Sequence, residues 1–567
     1  MARRISPALA VATASIALAA AACGGSSSSS NSGSGSGGSG GSSASAGGNN
    51  AQVKNDTVKK GGTLAFAADQ EPTGFNVNTS KDNGTSVQNI IAPVYPNAFN
   101  NLPDFSVKID NNLLTSADLT SQEPETIVYK INPKAVWSDG VPIDAKDFIY
   151  MWKSQNGTNK DLDVASTTGY ENIKSVTGSA GDKTVTVVFK DKFADWKSLF
   201  SNILPSHYVQ KQAGGWNTGI DKSMPISGGP FVITSYKPGD SLTLSRNDKF
   251  WGTPANLDKI VYRFLPESQT QPDALKNGEV QLIYPQPQLD LVQQVKALPT
   301  VESQTNFGLT FEHIDFNTKV KGLDDAKVRT AMALGMDRTQ LLNATVKQFS
   351  DKAQVLGNRI YVNNQPEYVD NSKVVPNIGT GDIKDATAML EADGYTKGPD
   401  GTYAKGGQKL SFKFSTTSGN RLREQQGILF QAQMKKMGVN IIIDNKSSKV
   451  LFPALSKGQF EISDFAWVAT PFASANQPIY QTGGSSNYGK YSNPQVDTVI
   501  KQAVSELDPA KVKDDWNQVD ALIWKDMPTI PLYQKPTFIA YDKKFGNIGD
   551  NATQQGPFWN AGTWGMK

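Results

Sequence analysis

The stretch 409–444 constrains the fold more than any other part of this chain, because it reads as strand, helix, strand in direct succession. "KLSFKFST" alternates apolar and polar residues, 421–437 closes as a helix on Lys435, Lys436 and Gly438, and "VNIIID" follows as a second strand. A βαβ unit of this kind crosses over right-handed, so its strands lie parallel beneath the helix. The second half of the chain is therefore expected to hold a parallel sheet.

Other segments extend the pattern. "GGTLAFAA" (61–68), "TVTVVFK" (184–190) and "KIVYRFL" (259–265) read as strands, and "FVITSY" and "SLTLSR" flank the turn "KPGD", a hairpin signal. Over 325–342, Val328, Met332 and Met336 recur four apart beside Ala331, one apolar face of a helix. In 382–394, Asp382 suits an N-cap, Ile383, Ala386 and Leu390 form the buried stripe, and Gly394 suits the stop. A strand-rich first half and a βαβ-bearing second half predict two lobes, with a ligand site between them.

The N-terminus is different in kind. Arg3 and Arg4 precede a short apolar run that ends in Ala19 to Ala22, a secretory signal pattern too short to span a bilayer comfortably. Cys23 is the chain's one cysteine, which excludes an internal disulfide and a thiolate metal cluster. Residues 24–50 are Gly, Ser, Asn and Ala alone; as a flexible coil they span roughly 30 Å. Without Arg3 and Arg4 the net charge falls from +3 to +1, which offers no basic excess for nucleic acid.

Six segments in order resemble the extracellular solute-binding proteins of family 5, the peptide and nickel binders of ABC importers: "VWSDGVPIDAKDF" (136–148), "SGGPFVITSYKPGDSLTLSRNDKFWG" (227–252), "DDAKVRTAMALGMDRTQLL" (324–342), "ATAMLEADGY" (386–395), "NYGKYSNPQVDTVIKQA" (487–503) and "MPTIPLYQ" (527–534). The resemblance implies an α/β fold, a two-lobed periplasmic-binding-protein-like clamshell of type II with an inserted third subdomain. Lobe one would comprise 61–97, 225–310 and 531–567, the insertion 98–224, and lobe two 311–530. "LAAAAC" resembles a lipobox, implying cleavage after residue 22, lipidation of Cys23 and a lipid-tethered monomer on the outer face of the cell membrane, with a tether over 23–60. A peptide or other small solute and ABC permease subunits would be its partners.

Two of the quoted motifs have a physical sense of their own. Asp139-Gly140 forms a turn and Asp144 caps a helix from Ala145; Asn493-Pro494 opens a helix whose Val496, Val499 and Ile500 face inward. Both are scaffold signals.

Catalytic chemistry finds little support. His207 and His313 are the only histidines, no HExxH occurs, and the GxGxxG at Gly33, Gly35 and Gly38 lies in the tether. "GSAGDKT" (178–184) reads as a hairpin turn. No catalytic residue, metal ligand or cofactor is expected.

Peptide-binding members of the family carry a "GWxADYPDP"-like segment, whose tryptophan lines the pocket and whose first aspartate pairs with the peptide ammonium. The resembling stretch here is "AWVATPFAS" (466–474), in which Trp467 matches and Thr470 stands at the aspartate. Threonine cannot neutralise an ammonium. Either Asp464 or Glu312 substitutes for that aspartate or the ligand lacks a free amine, and Tyr284, Phe231 and Tyr488 are candidates for the opposite wall. Two alternatives stay open: a non-peptide solute such as a glycoside or chelate, and a role in cell-envelope glycolipid assembly.

Overall fold

A computed structural model describes residues 53–567 apart from 180. The signal segment, Cys23 and most of the tether lie outside the described residues.

The frame is a ten-stranded sheet. Its strands are interleaved in sequence with a separate four-stranded antiparallel sheet. In chain order they are β1 (Thr63–Ala68), then β2 (Leu114–Gln122), β3 (Glu125–Ile131), β4 (Ile173–Thr177) and β5 (Thr184–Phe189) of the small sheet, then β6 (Phe231–Lys237), β7 (Ser241–Arg246), β8 (Lys259–Phe264), β9 (Leu282–Ile283), β10 (Val301–Phe316), β11 (Ser411–Ser415), β12 (Asn440–Ile443), β13 (Ile462–Val468) and β14 (Thr529–Asp542). The large sheet runs β12-β11-β13-β10-β14-β9-β1-β8-β7-β6, and the small one β2-β3-β5-β4.

Two long antiparallel strands, β10 and β14, sit at its middle. On one side of them β9, β1 and β8 are mutually parallel; on the other β13, β11 and β12 are parallel. Each flank has its own core. The first buries Phe66, Trp137, Phe148, Phe231 and Tyr262 in one cluster with the small sheet; the second buries Met332, Phe412, Phe430 and Trp524.

The pairing of β10 with β14 breaks between the flanks. Phe307 lies opposite Pro536 and Phe311 opposite Gln534, so three residues of β10 face Lys535 alone. A Cβ on Gly308 would come within 1.8 Å of the Ala552 carbonyl, so only glycine fits there.

Helices follow the sequence signals closely. Asp144 accepts from the Lys146 N–H and starts α1 (Ala145–Gln155) in a capping box with Asp147. Asp382 accepts from the Asp385 N–H to start α3 (Ile383–Ala392), and Gly394 takes φ +89° beyond its end. The βαβ helix is α4 (Arg421–Lys436), and Asn493 caps α5 (Pro494–Ser505) with Val496, Val499 and Ile500 buried. The helix expected over 325–342 is two. It stops at Gly335, the end of α2 (Ala326–Gly335), and Asp337 starts another, Arg338–Ala344, by accepting from the Gln340 N–H. A second cap outcompetes the continuing apolar stripe.

Candidate functional site

Strand direction locates the site. Along β9, Leu282 and Ile283 pair with Tyr541 and Ala540 of antiparallel β14, so β9 and its parallel neighbour β1 run toward the second flank. Along β13, Ile462 to Val468 pair with Phe316 back to Thr310 of β10, so β13 and β11 run toward the first flank. The two parallel sets therefore aim their carboxyl ends at one another across the break at 307–311. Ligands of open α/β sheets bind outside the carboxyl ends of the strands, and here two such edges face each other.

The second-flank edge carries an aromatic cluster. Trp467, half-buried, lies 5.5 Å from Tyr488, 5.3 Å edge-on from Phe465 and 5.9 Å from His313, the last stacked with ring planes 5° apart. His313 is fully buried, and its Nδ1 meets the Asp315 carboxylate at 2.9 Å. Phe105, on the turn between the short strands Phe99–Asn101 and Val107–Ile109, packs on the cluster that holds Phe311 and touches Trp467. Tyr488 thus belongs to the same wall as Trp467, not the opposite one, because its loop follows β13.

Of the other wall residues expected, Phe231 is fully buried in the first core, where the inward alternation of β6 puts it. It is a core residue. Tyr284 follows β9 at the first-flank edge, half-buried, its hydroxyl engaged by Asp550 and Thr537. Thr470 uses its hydroxyl locally, accepting from the Phe472 N–H at 3.2 Å to hold the turn after β13.

The two substitute acids are both fully buried. Glu312 is fully buried, gripped by Arg423 (Nε to Oε2 3.0 Å, Nη2 to Oε1 3.1 Å) and by the Lys535 ammonium at 2.6 Å. Burial alone would raise the Glu312 carboxyl, but these two cations hold it below the ordinary range. Asp464, also fully buried, accepts from Gln426 at 2.8 Å, and Tyr533 donates to the same Gln426 at 2.6 Å. Burial, then the charge of Glu312, pushes the Asp464 carboxyl well up. The Glu312 carboxylate thus already faces two cations, which leaves it no charge to offer an ammonium.

The flanks also touch through the loop after β5. Asp195 accepts from the Ser474 N–H at 2.9 Å, and the Ala194 N–H donates to the Val504 carbonyl at 2.9 Å. Neither this contact nor Phe105 nor the Arg423 and Lys535 grip is legible in sequence, since each pairs residues far apart in the chain. His207 Nε2 meets Asp139 at 2.8 Å, while its neighbour Ser206 donates to Asp147.

Comparison with known proteins agrees with this architecture. The family model "Bacterial extracellular solute-binding proteins, family 5 Middle" matches residues 108–490. The oligopeptide-binding protein OppA of Mycobacterium tuberculosis (strain ATCC 25618 / H37Rv) is 30% identical over 504 residues, covering 87% of this chain and 83% of OppA. Among solved structures, the periplasmic EDTA-binding protein EppA aligns with a TM-score of 0.84 at 28% identity, over 91% of this chain and 98% of that one. The oligopeptide-binding protein AppA of Bacillus subtilis, solved with a nonapeptide, aligns at 0.79 and 22% identity, over 90% and 100%. These folds are two-lobed binding proteins of type II, as expected from the sequence.

Proposed function

Because this chain belongs to the bacterial extracellular solute-binding proteins of family 5, we propose that it captures peptides between its two lobes and delivers them to the permease of an ABC importer. The observation that carries this reading is the pair of opposed carboxyl edges, one of them bearing the Trp467 aromatic wall. Similarity to OppA over most of both chains supports peptide as the solute class. An open–closed movement about the break in β10 and β14 would enclose the solute.

In this reading lobe one comprises 61–97, 225–310 and 531–567, the insertion 98–224, and lobe two 311–530. Cys23 carries a lipid that tethers a monomer to the outer face of the membrane. No helix among the described residues is long and apolar enough to cross a bilayer. Labelled fatty acid incorporated into the wild type and not into Cys23→Ser tests the anchor. The peptide reading is tested by incubating the protein with a tryptic casein digest, removing unbound peptide and identifying what remains by mass spectrometry; retained peptides support it, and none overturns it.

A second reading has its own support. EppA binds EDTA by name, and Arg423 and Lys535 set two cations against the Glu312 carboxylate, each with a little exposed surface. An anionic chelate would then be the solute, retained in place of peptides.

A further inference from the structure

We infer that Glu125 couples the contact between the lobes to protonation: its buried carboxyl seats the loop after β5, and ionising it lifts that loop away from lobe two. The inference rests on the lobe division above and not on the identity of the solute.

Four consecutive residues of the loop divide into two pairs. The outer two, Phe193 and Trp196, are buried in the first core together with Tyr129. The Phe193 ring lies where a Cβ on Gly169 would come within 2.4 Å, and Trp196 meets the Tyr129 ring edge-on at 6.2 Å. The inner two reach across: the Ala194 N–H donates to the Val504 carbonyl at 2.9 Å, and Asp195 accepts from the Ser474 N–H at 2.9 Å. The receiving side is packed as well, since Ala473 and Val504 are buried in one cluster with Tyr361, Ile500 and Trp516. The contact is therefore a bridge between two packed bodies, and its position depends on how the loop backbone is held.

Glu125 holds that backbone. It opens β3, is 1% exposed, and accepts from the Phe193 N–H at 2.7 Å, one residue before Ala194. Its other carboxyl oxygen is buried and has no hydrogen-bond partner among the described residues. The neutral acid still offers an oxygen to the Phe193 N–H, whereas an ionised carboxylate with one oxygen bare of donors is poorly solvated. The titratable groups facing it are Lys192 on the same loop, which pairs with Glu123 at 3.2 Å, and Tyr129 on β3; β5 reaches this level at Val188 and Phe189. Burial holds the carboxyl at about 7 against an ordinary 4.5, with the Phe193 N–H and Lys192 opposing it.

An ionised Glu125 gains water only if the loop moves off it, and that movement withdraws Ala194 and Asp195 from lobe two. Because the value is raised in the seated form, the proton's support for the contact is complete below about 4.5, declines as pH rises and is gone above about 7.

Hydrogen exchange read by mass spectrometry tests this on the protein without ligand, at pH 5 and pH 8, with each rate divided by that of the unfolded chain at the same pH. In the wild type, segments 190–197 and 472–476 should both lose protection at pH 8, by about tenfold or more. Glu125→Gln, which keeps an oxygen for the Phe193 N–H, should protect both segments equally at the two pH values. Asp195→Ala leaves Glu125 in place; it should abolish the response at 472–476 and keep the one at 190–197, and it decides the matter with the wild type if Glu125→Gln does not fold. Wild-type protection at 472–476 that is the same at both pH values overturns the inference, as does a response there that persists in Glu125→Gln or in Asp195→Ala. No solute enters the measurement, so each of these results leaves the peptide reading standing.

Discussion

The Asp195 carboxylate accepts the Ser474 N–H at 2.9 Å across 279 residues of sequence, joining the loop after β5 to the segment after β13. Its neighbour Ala194 donates to Val504, so two consecutive residues engage the other side of the molecule. The contact holds the lobes together in the form seen here, and Asp195→Ala should loosen it. Small-angle scattering of the variant is expected to give a larger radius of gyration than the wild type, with peptide affinity falling severalfold. Unchanged scattering and affinity would show that the contact does not govern closure.

Trp467 is the largest half-buried side chain of the aromatic wall, supported by His313, Phe465 and Tyr488. Central aromatic anchors typically cost 2 kcal/mol or more when truncated, so Trp467→Ala should weaken peptide binding by about thirtyfold. Its melting temperature without ligand should change much less, which calorimetry and a thermal melt together would establish.

Glu312 is a folding residue in this account. Removing its charge leaves Arg423 and Lys535 buried against each other, and breaking a buried ion group from one side costs about 3–5 kcal/mol. Glu312→Gln should therefore destabilise the protein strongly in denaturant titration. A loss within experimental error would show that solvent reaches the group.

Burial, opposed by the Phe193 N–H and Lys192, holds the Glu125 carboxyl at about 7 against an ordinary 4.5. Glu125 accepts that Phe193 N–H at 2.7 Å, at the base of the loop that carries Asp195. The folded state thus holds this proton more tightly than the unfolded chain. The group's contribution to stability is complete below about 4.5, declines as pH rises and is gone above about 7. Relative to Glu125→Gln, the wild type should lose stability across that interval and run parallel to it at higher pH, in melts recorded from pH 4 to 8.

Much of this architecture was legible because its signals are local. The caps at Asp144, Asp382 and Asn493, the βαβ unit and the hairpin around "KPGD" each depend on residues a few positions apart. The error over 325–342 arose from competition between two local signals, an apolar stripe and the Asp337 cap. The site was legible only in part. Trp467 could be found from its motif, but Phe231 was indistinguishable in sequence from an exposed aromatic, and the fate of Glu312 was set by Arg423, 111 residues away.

The central claim is that peptides are the solute held between the facing edges. The most direct measurement is calorimetric titration of the protein with the peptides retained from a casein digest and, separately, with EDTA and its iron(III) chelate. The account predicts one-to-one binding of peptide, greatly weakened by Trp467→Ala, and no heat from the chelates. Tight binding of a chelate with no peptide bound would contradict it.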